Sequence, residues 1–203
     1  MITRFALVKV MILVLLSSFL FSCSPDPKKA NSENFKIAIN EAIKKSGNSV
    51  SARVFSKEDR ELYTAAGLIE IYKELEEEKD IMNIIENKKP KMVEVEKDRL
   101  TELGKRYHKK AMIGSHFCYG NGEVIEILNF TEPASIAGYT VSHVKYTYKI
   151  NNIPDWVHVL KKKYKWMEKD IDSSKTPLHG EATLILTNVG WVHEKLFDEK
   201  GNS

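Results

Sequence analysis

The stretch GYTVSHVKYTYKIN, residues 138–151, alternates apolar and polar side chains over more than ten positions. Successive side chains of a strand point to opposite faces, so Val144, Tyr146, Tyr148 and Ile150 fall together on one face. One buried face and one wetted face is the pattern of an antiparallel sheet. Flanking segments supply its neighbours. GEVIEILNF (122–130) is strand-like, EPASIAG (132–138) reads as a loop, and HGEATLILTNVGWV (179–192) sets Leu184 and Leu186 against Thr183 and Thr187. Between the strands, IPDWVHVLKKKYKWMEKD (153–170) carries Pro154 early and Trp156, Leu160, Tyr164 and Met167 at helical spacing. An antiparallel sheet of three or more strands with that one amphipathic helix across it buries all these stripes. The expected fold class is α+β, with this lobe spanning residues 111–203.

Working back from Ala111, the first half reads differently. NSENFKIAINEAIKKSGN (31–48) repeats Phe35, Ile39 and Ile43 at i, i+4 and i+8, with Asn31 or Ser32 as cap and Gly47 as stop. In SKEDRELYTAAG (56–67) Ser56 caps a second helix, Asp59 stands where a capping box needs it, and Leu62, Ala65 and Ala66 form the apolar face. Two readings fit the next segment: LIEIY (68–72) alternates as a strand, and Leu68, Tyr72, Leu75, Lys79 and Met82 equally fit a helix with an acidic outer face. MVEVE (92–96) alternates as a strand, and LTELGKRYHKK (100–110) forms a short helix capped by Thr101.

Two helices, a strand, a charged excursion, a second strand and the closing LTELGK element together resemble a winged-helix domain over residues 32–110. The resemblance implies a helical, winged-helix-like N-terminal lobe. Its recognition helix would be SKEDRELYTAAG, where Glu58, Asp59 and Glu61 stand beside Lys57 and Arg60. Such a helix repels phosphate, so no nucleic-acid partner is expected, and the lobe is a protein-contacting or structural module.

The N-terminus gives an address. Arg4 and Lys9 precede an apolar run from Met11 to Phe21, which is too short for a spanning helix of about 20 apolar residues and has the form of an export signal. Leu20-Phe21-Ser22-Cys23 ends that run and resembles the lipobox of bacterial lipoproteins, with Phe21 bulkier than the usual residue at its place. The resemblance implies cleavage before Cys23 and a mature chain anchored to the membrane through three acyl chains on that cysteine. Each buried methylene contributes about 0.8 kcal/mol, and one chain alone holds only marginally, so three hold firmly. Ser24, where an aspartate would favour the inner membrane, implies an outer-membrane address facing the periplasm in a Gram-negative cell. Residues 23–31, poor in large apolar side chains, are expected to act as a tether of roughly 15–20 Å.

Removal of residues 1–22 leaves 181 residues, one domain of ordinary size or two small ones, with 29 basic against 28 acidic side chains. That balance implies neither a nucleic-acid footprint nor a polybasic membrane patch. With Cys23 acylated, Cys118 is the remaining thiol, so stability rests on packing and not on a disulfide.

Sharper chemistry is weighed against plain packing. SHFCYGNGE (115–123) places His116 two residues from Cys118, a candidate base beside a candidate nucleophile, but no known signature flanks the pair, and a packed thiol is the expected role. GNGE lacks the further glycine or lysine of a phosphate loop and reads as a tight turn. His108, His116, His143, His158, His179 and His193 stand apart without metal-ligand spacing, so neither a metal nor a cofactor is expected. The aromatic bias of the second half, including Trp156, Trp166 and Trp191, is expected in the core, with a partner surface as the other reading. The expectation is a non-enzymatic, membrane-anchored binding or adaptor lipoprotein of the cell envelope, contacting a protein or the cell wall. An immunity or inhibitor-type lipoprotein that neutralises a toxin or hydrolase has the same features.

Overall fold

The structure, a computed structural model, describes residues 26–54, 56–78, 91–112 and 114–200. In chain order the first half holds α1 (Ser32–Ser46), β1 (Asn48–Ser51), α2 (Lys57–Ala65), β2 (Ile69–Glu77), β3 (Met92–Leu100), α3 (Glu102–Tyr107) and β4 (His108–Lys110). Then come β5 (Ser115–Tyr119), β6 (Asn121–Phe130), β7 (Ala134–Ile136), β8 (Tyr139–Asn151), α4 (Asp155–Leu160), α5 (Met167–Asp172), β9 (Leu178–Thr187), β10 (Gly190–His193) and α6 (Glu194–Lys200). The fold is mixed α+β and its strand pairings are antiparallel.

The alternating stretch within 138–151 forms β8, the spine of a five-stranded sheet ordered β10-β9-β8-β6, with β7 also pairing with β8. Ser142, Val144, Tyr146 and Ile150 turn inward and are buried, while His143 and Lys145 face solvent. The 132–138 segment is not all loop: Ala134–Ile136 pairs with Tyr139–Val141. β6 is bulged twice, between Val124 and Glu126 and between Ile127 and Asn129. α1 satisfies backbone groups there: Lys36 Nζ donates to the Ile125 carbonyl at 3.0 Å, and Asn40 Oδ1 accepts from Val124 N–H at 2.8 Å. Bulges of this kind blunt an edge that would otherwise template further strands.

The helix that covers this sheet is α1, not the 153–170 segment expected there. Asn31 caps α1 by accepting from Asn34 N–H at 2.8 Å, and Gly47 ends it at φ +61°, a conformation that favours glycine. Its stripe of Phe35, Ala38, Ile39 and Ala42 is buried, and the first three pack with Val124, Val144, Tyr146, Ala182, Leu184 and Trp191. Phe35 meets Phe130 and Trp191 edge-on, with ring centroids 4.9 Å apart in both pairs.

Residues 153–170 instead form two short helices, α4 and α5, that build a second core. Trp156, Val157, Leu160 and Met167 pack there with Val50, Tyr63, Leu68, Phe117 and Tyr119 around the three-stranded sheet β1-β5-β4. The turns at 161–166 present Lys163 and Tyr164 to α2: Lys163 ion-pairs with the buried Asp59, and the Tyr164 and Tyr63 hydroxyls lie 3.2 Å apart. A straight helix would keep the stripe on one axis. Both cores draw on residues from each side of Ala111, because each amphipathic element covers apolar surface that the other half supplies.

The two readings of residues 68–77 resolve as strand. β2 pairs with β3 over nine residues, from Ile69 opposite Leu100 to Glu77 opposite Met92. In a helix Glu70, Glu74 and Glu78 would repel one another at i, i+4. In the ribbon Arg99 holds Glu70 at 2.7 Å, Lys73 holds Glu94 at 3.1 Å, and Lys97 lies between Glu74 and Glu76. Met82, the last member of the helical stripe, lies outside the described residues.

The described part of the expected tether is not slack. Asn34 Nδ2 donates to the carbonyls of Asp26 and Lys29, both at 2.8 Å, and Trp191 Nε1 donates to the Lys28 carbonyl at 3.0 Å. Among the described residues no helix is long and apolar enough to cross a membrane.

Candidate functional site

The site grows from the turn between β5 and β6. Gly120 takes φ +61°, and a side chain there would press on Ile150 and on the Asn151 carbonyl. This tight passage carries the chain from the small sheet into the large one and leaves Asn121 opposite Asn151, at the end of β8. Asn152 follows with φ +55°, a backbone conformation that asparagine tolerates better than most residues.

From the other side comes α3. Thr101 caps it by accepting from Gly104 N–H at 2.9 Å and donates its hydroxyl to the Gly67 carbonyl at 2.5 Å. Gly104 lies so close to the Leu68 carbonyl that even a methyl group would collide with it. This close seating brings Arg106 and Tyr107 beside β5. The result is a cleft of about 340 Å³ lined by Arg106, Tyr107, Lys109, Cys118, Tyr119, Gly120, Asn121 and Asn152.

Two aromatic walls are fixed from behind. Tyr107 and Tyr119 both pack edge-on against Trp156, at 5.5 and 5.6 Å between centroids. The Tyr119 hydroxyl donates to Asp170 at 2.6 Å. Burial pushes the Tyr119 phenol far above its ordinary range, and the bond to Asp170 adds to the shift. Burial likewise raises the Asp170 carboxyl, and the hydrogen bond from Tyr119 draws it partly back.

The polar lining is one-sided. Arg106 and Lys109 bring two cations, Asn121 and Asn152 bring two amides, and among the described residues no carboxylate lines the cleft. Among the described residues neither cation has a carboxylate within ion-pair distance. Glu102, whose field reaches Arg106, is bonded to Lys105 at 2.7 Å; that bond, then the Lys105 charge, holds its carboxyl below the usual range. A concave surface with one sign of charge focuses its field on a ligand of the opposite sign. The larger cleft between α2 and the ribbon, about 520 Å³, differs in kind. There Arg60 already faces Glu96 and Asp98, at 3.9 and 3.7 Å.

Cys118 lies in the cleft at the β5–β6 turn, half-buried, and His116 does not line it. The two share a face of β5, opposite Ser49 and Ser51 of β1, and no hydrogen bond joins them among the described residues. The six histidines lie on different elements. His108 packs edge-on near Phe117, His143 sits 3.4 Å from Glu181, and His193 is buried with Nδ1 accepting from Lys195 N–H. His158 and His179 belong to α4 and β9. Among the described residues no three His, Cys, Asp or Glu side chains converge as metal ligands. Cys23 and the residues around it lie outside the described residues.

Sequence reasoning passed over Arg106, Lys109, Asn121 and Asn152, because each belongs to a segment read for its backbone role. Only the GNG turn signalled that β5 ends abruptly there. No protein-family model, no curated protein and no solved structure matches the chain.

Proposed function

We propose that this chain is a lipid-anchored protein of the cell envelope whose folded part is a non-enzymatic binding module. The cleft at the β5–β6 junction receives a carboxylate or phosphate group of a protein or cell-wall partner. The observation that carries the reading is the convergence of Arg106, Lys109, Asn121 and Asn152 on one cleft without a lining carboxylate among the described residues. Arginine and lysine beside amide donors suit an oxyanion, and the aromatic walls suit the rest of a ligand that stacks. The lipid anchor rests on the Leu20–Cys23 motif and its basic, apolar leader.

Within the same reading α2 and the β2–β3 ribbon act as a winged-helix-like contact element with the ribbon as wing. Residues 69–78 and 91–100 carry eight acidic against four basic side chains, which favours a protein surface over phosphate. Cys118 acts as a packed thiol beside the ligand and not as a nucleophile.

Titration with inorganic phosphate and with succinate, followed by Trp156-dominated fluorescence changes, tests the cleft. Charge-assisted contacts contribute about 1.5–3 kcal/mol each when desolvated and less when exposed, so Arg106→Ala with Lys109→Ala weakens binding by roughly ten- to a hundredfold. Equal affinity in the double variant, or no binding by the native chain, refutes the cleft. Mass spectrometry of the mature N-terminus tests the anchor: an acylated Cys23 supports it and a start elsewhere ends it. Alkylation of Cys118 at neutral pH at the rate of an ordinary thiol, unchanged by His116→Ala, supports the non-enzymatic role, whereas an accelerated, His116-dependent rate contradicts it.

A further inference from the structure

We infer that the end of the large sheet where β8 begins lies against the membrane surface, with Ile136, Tyr139 and Val189 in contact with lipid. The inference rests on the lipidation of Cys23 proposed above and adds an orientation to it. Only Ser24 and Pro25 separate Cys23 from Asp26, so these three steps of chain span at most about 10 Å. From Asp26 onward the chain is pinned to the fold. Asn34 holds the Asp26 and Lys29 carbonyls, Trp191 Nε1 holds the Lys28 carbonyl, and Pro27 lies over Gly190, where a Cβ would sit 2.9 Å from the Pro27 carbonyl oxygen. A lipid attached at Cys23 therefore ties down this end of the molecule and not a free arm.

The strand register shows what else sits at that end. Gly190 pairs with Thr187, Val141 pairs with Ile185, and Ile136 pairs with Tyr139. Tyr139 and Thr187 thus lie level, two residues beyond the Val141–Ile185 pair. Val189, in the β9–β10 turn, and Ile136, the last residue of β7, emerge side by side, a few strand spacings of about 4.8 Å apart. All three apolar side chains are exposed there: Ile136 by 61%, Tyr139 by 51% and Val189 by 63%. Charge does not direct the contact, because Asp26, Lys28, Lys29 and Glu33 around the arriving chain cancel. Apolar side chains next to an acyl anchor enter the boundary of headgroups and chains, while a tyrosine suits the interface itself. The oxyanion cleft then points away. Asn121 pairs with Asn151, twelve residues along β8 from Tyr139, or roughly 40 Å at the rise of a strand.

The test uses the full acylated chain with Cys118→Ser, reconstituted in phosphatidylethanolamine and phosphatidylglycerol vesicles. Some of the lipids carry brominated acyl chains. A small thiol-reactive fluorophore is placed in turn at Val189→Cys, Ile136→Cys and Asn121→Cys. Bromolipid quenching is expected to be several-fold stronger at the first two sites than at the third, and to persist at high salt. The two proximal sites lie on different hairpins, so one misfolded variant leaves the other to decide. If the protein floats with the vesicles but all three sites quench alike, or none does, the orientation is overturned while the anchor stands. If the protein does not float, the anchor reading fails and the orientation falls with it.

Discussion

Phe35→Ala tests the central packing claim, that α1 is the lid of the second-half sheet. Phe35 has no exposed surface and stands between Phe130 and Trp191, each edge-on at 4.9 Å. Deleting a buried ring removes its transfer free energy and leaves a cavity, and such changes cost about 3–5 kcal/mol. For a folded unit of this size one kcal/mol moves the melting midpoint by roughly 2–4 °C, so a fall of about 6–20 °C is expected. Two residues further on, Ile37 is 60% exposed, and Ile37→Ala should change stability by less than about 0.5 kcal/mol. The two cores are tied together: Ile150 N–H, on the large sheet, donates to the buried Ser173 hydroxyl at 2.8 Å, just beyond α5 of the other core. Far-UV circular dichroism and tryptophan fluorescence should therefore shift together in Phe35→Ala, since Trp191 reports one core and Trp156 the other. A loss below 1 kcal/mol, or Ile37→Ala costing as much as Phe35→Ala, would remove α1 from the sheet. Separate transitions for the two signals would refute the coupling.

Gly104→Ala, normally stabilising by about 1 kcal/mol within a helix, should here destabilise by roughly 1–3 kcal/mol in urea titrations, because its Cβ meets the Leu68 backbone and not a movable side chain. His193 is held below its ordinary pKa by burial, with Lys195 adding to the shift and Glu194 opposing it. Its neutral form stabilises the fold above the unfolded value near 6.5, and that contribution is lost as pH falls through the folded value; His193→Asn should flatten the decline in melting temperature on that acid side. Asp170 behaves in the opposite sense: burial raises its carboxyl, so the contribution of its protonated form is present below the unfolded carboxylate pKa and lost as pH rises through the folded one. Asp170→Asn, which still accepts from Tyr119, should be at least as stable as the native chain at neutral pH and should remove that part of the pH dependence. A lower neutral-pH stability would show that the charged carboxylate is needed.

Periodicity and local chemistry were legible wherever the decisive partner is close in sequence. The alternation of Val144, Tyr146 and Ile150 marked the inner face of β8; Asn31, Ser56 and Thr101 announced helix starts that their side chains do cap. Leu184 and Leu186 fell on the inner side of β9 for the same reason, Leu184 fully buried and Leu186 partly buried against the same core. Other features have no local signal. Asp59 reads as half of a capping box, and its burial against Lys163 depends on a turn more than a hundred residues away. Asn34 and Gly190 look ordinary until Asp26–Lys29 is laid across them. The choice of strand for residues 69–77 needed the pairing with β3, since LIEIY satisfies both periods when read alone.

The amino-acid sequence by itself determined the α+β class and the faces of the long strands, because both are carried by spacing along the chain. Only the tertiary structure decided that α1 covers the sheet, that α4 and α5 serve the other core, and that Arg106, Lys109, Asn121 and Asn152 share one cleft. The physical reason is that an apolar stripe specifies how much surface must be buried but not against which partner. That choice follows from strand register and close backbone contacts, such as those at Gly104 and Gly120, which join residues far apart in the chain.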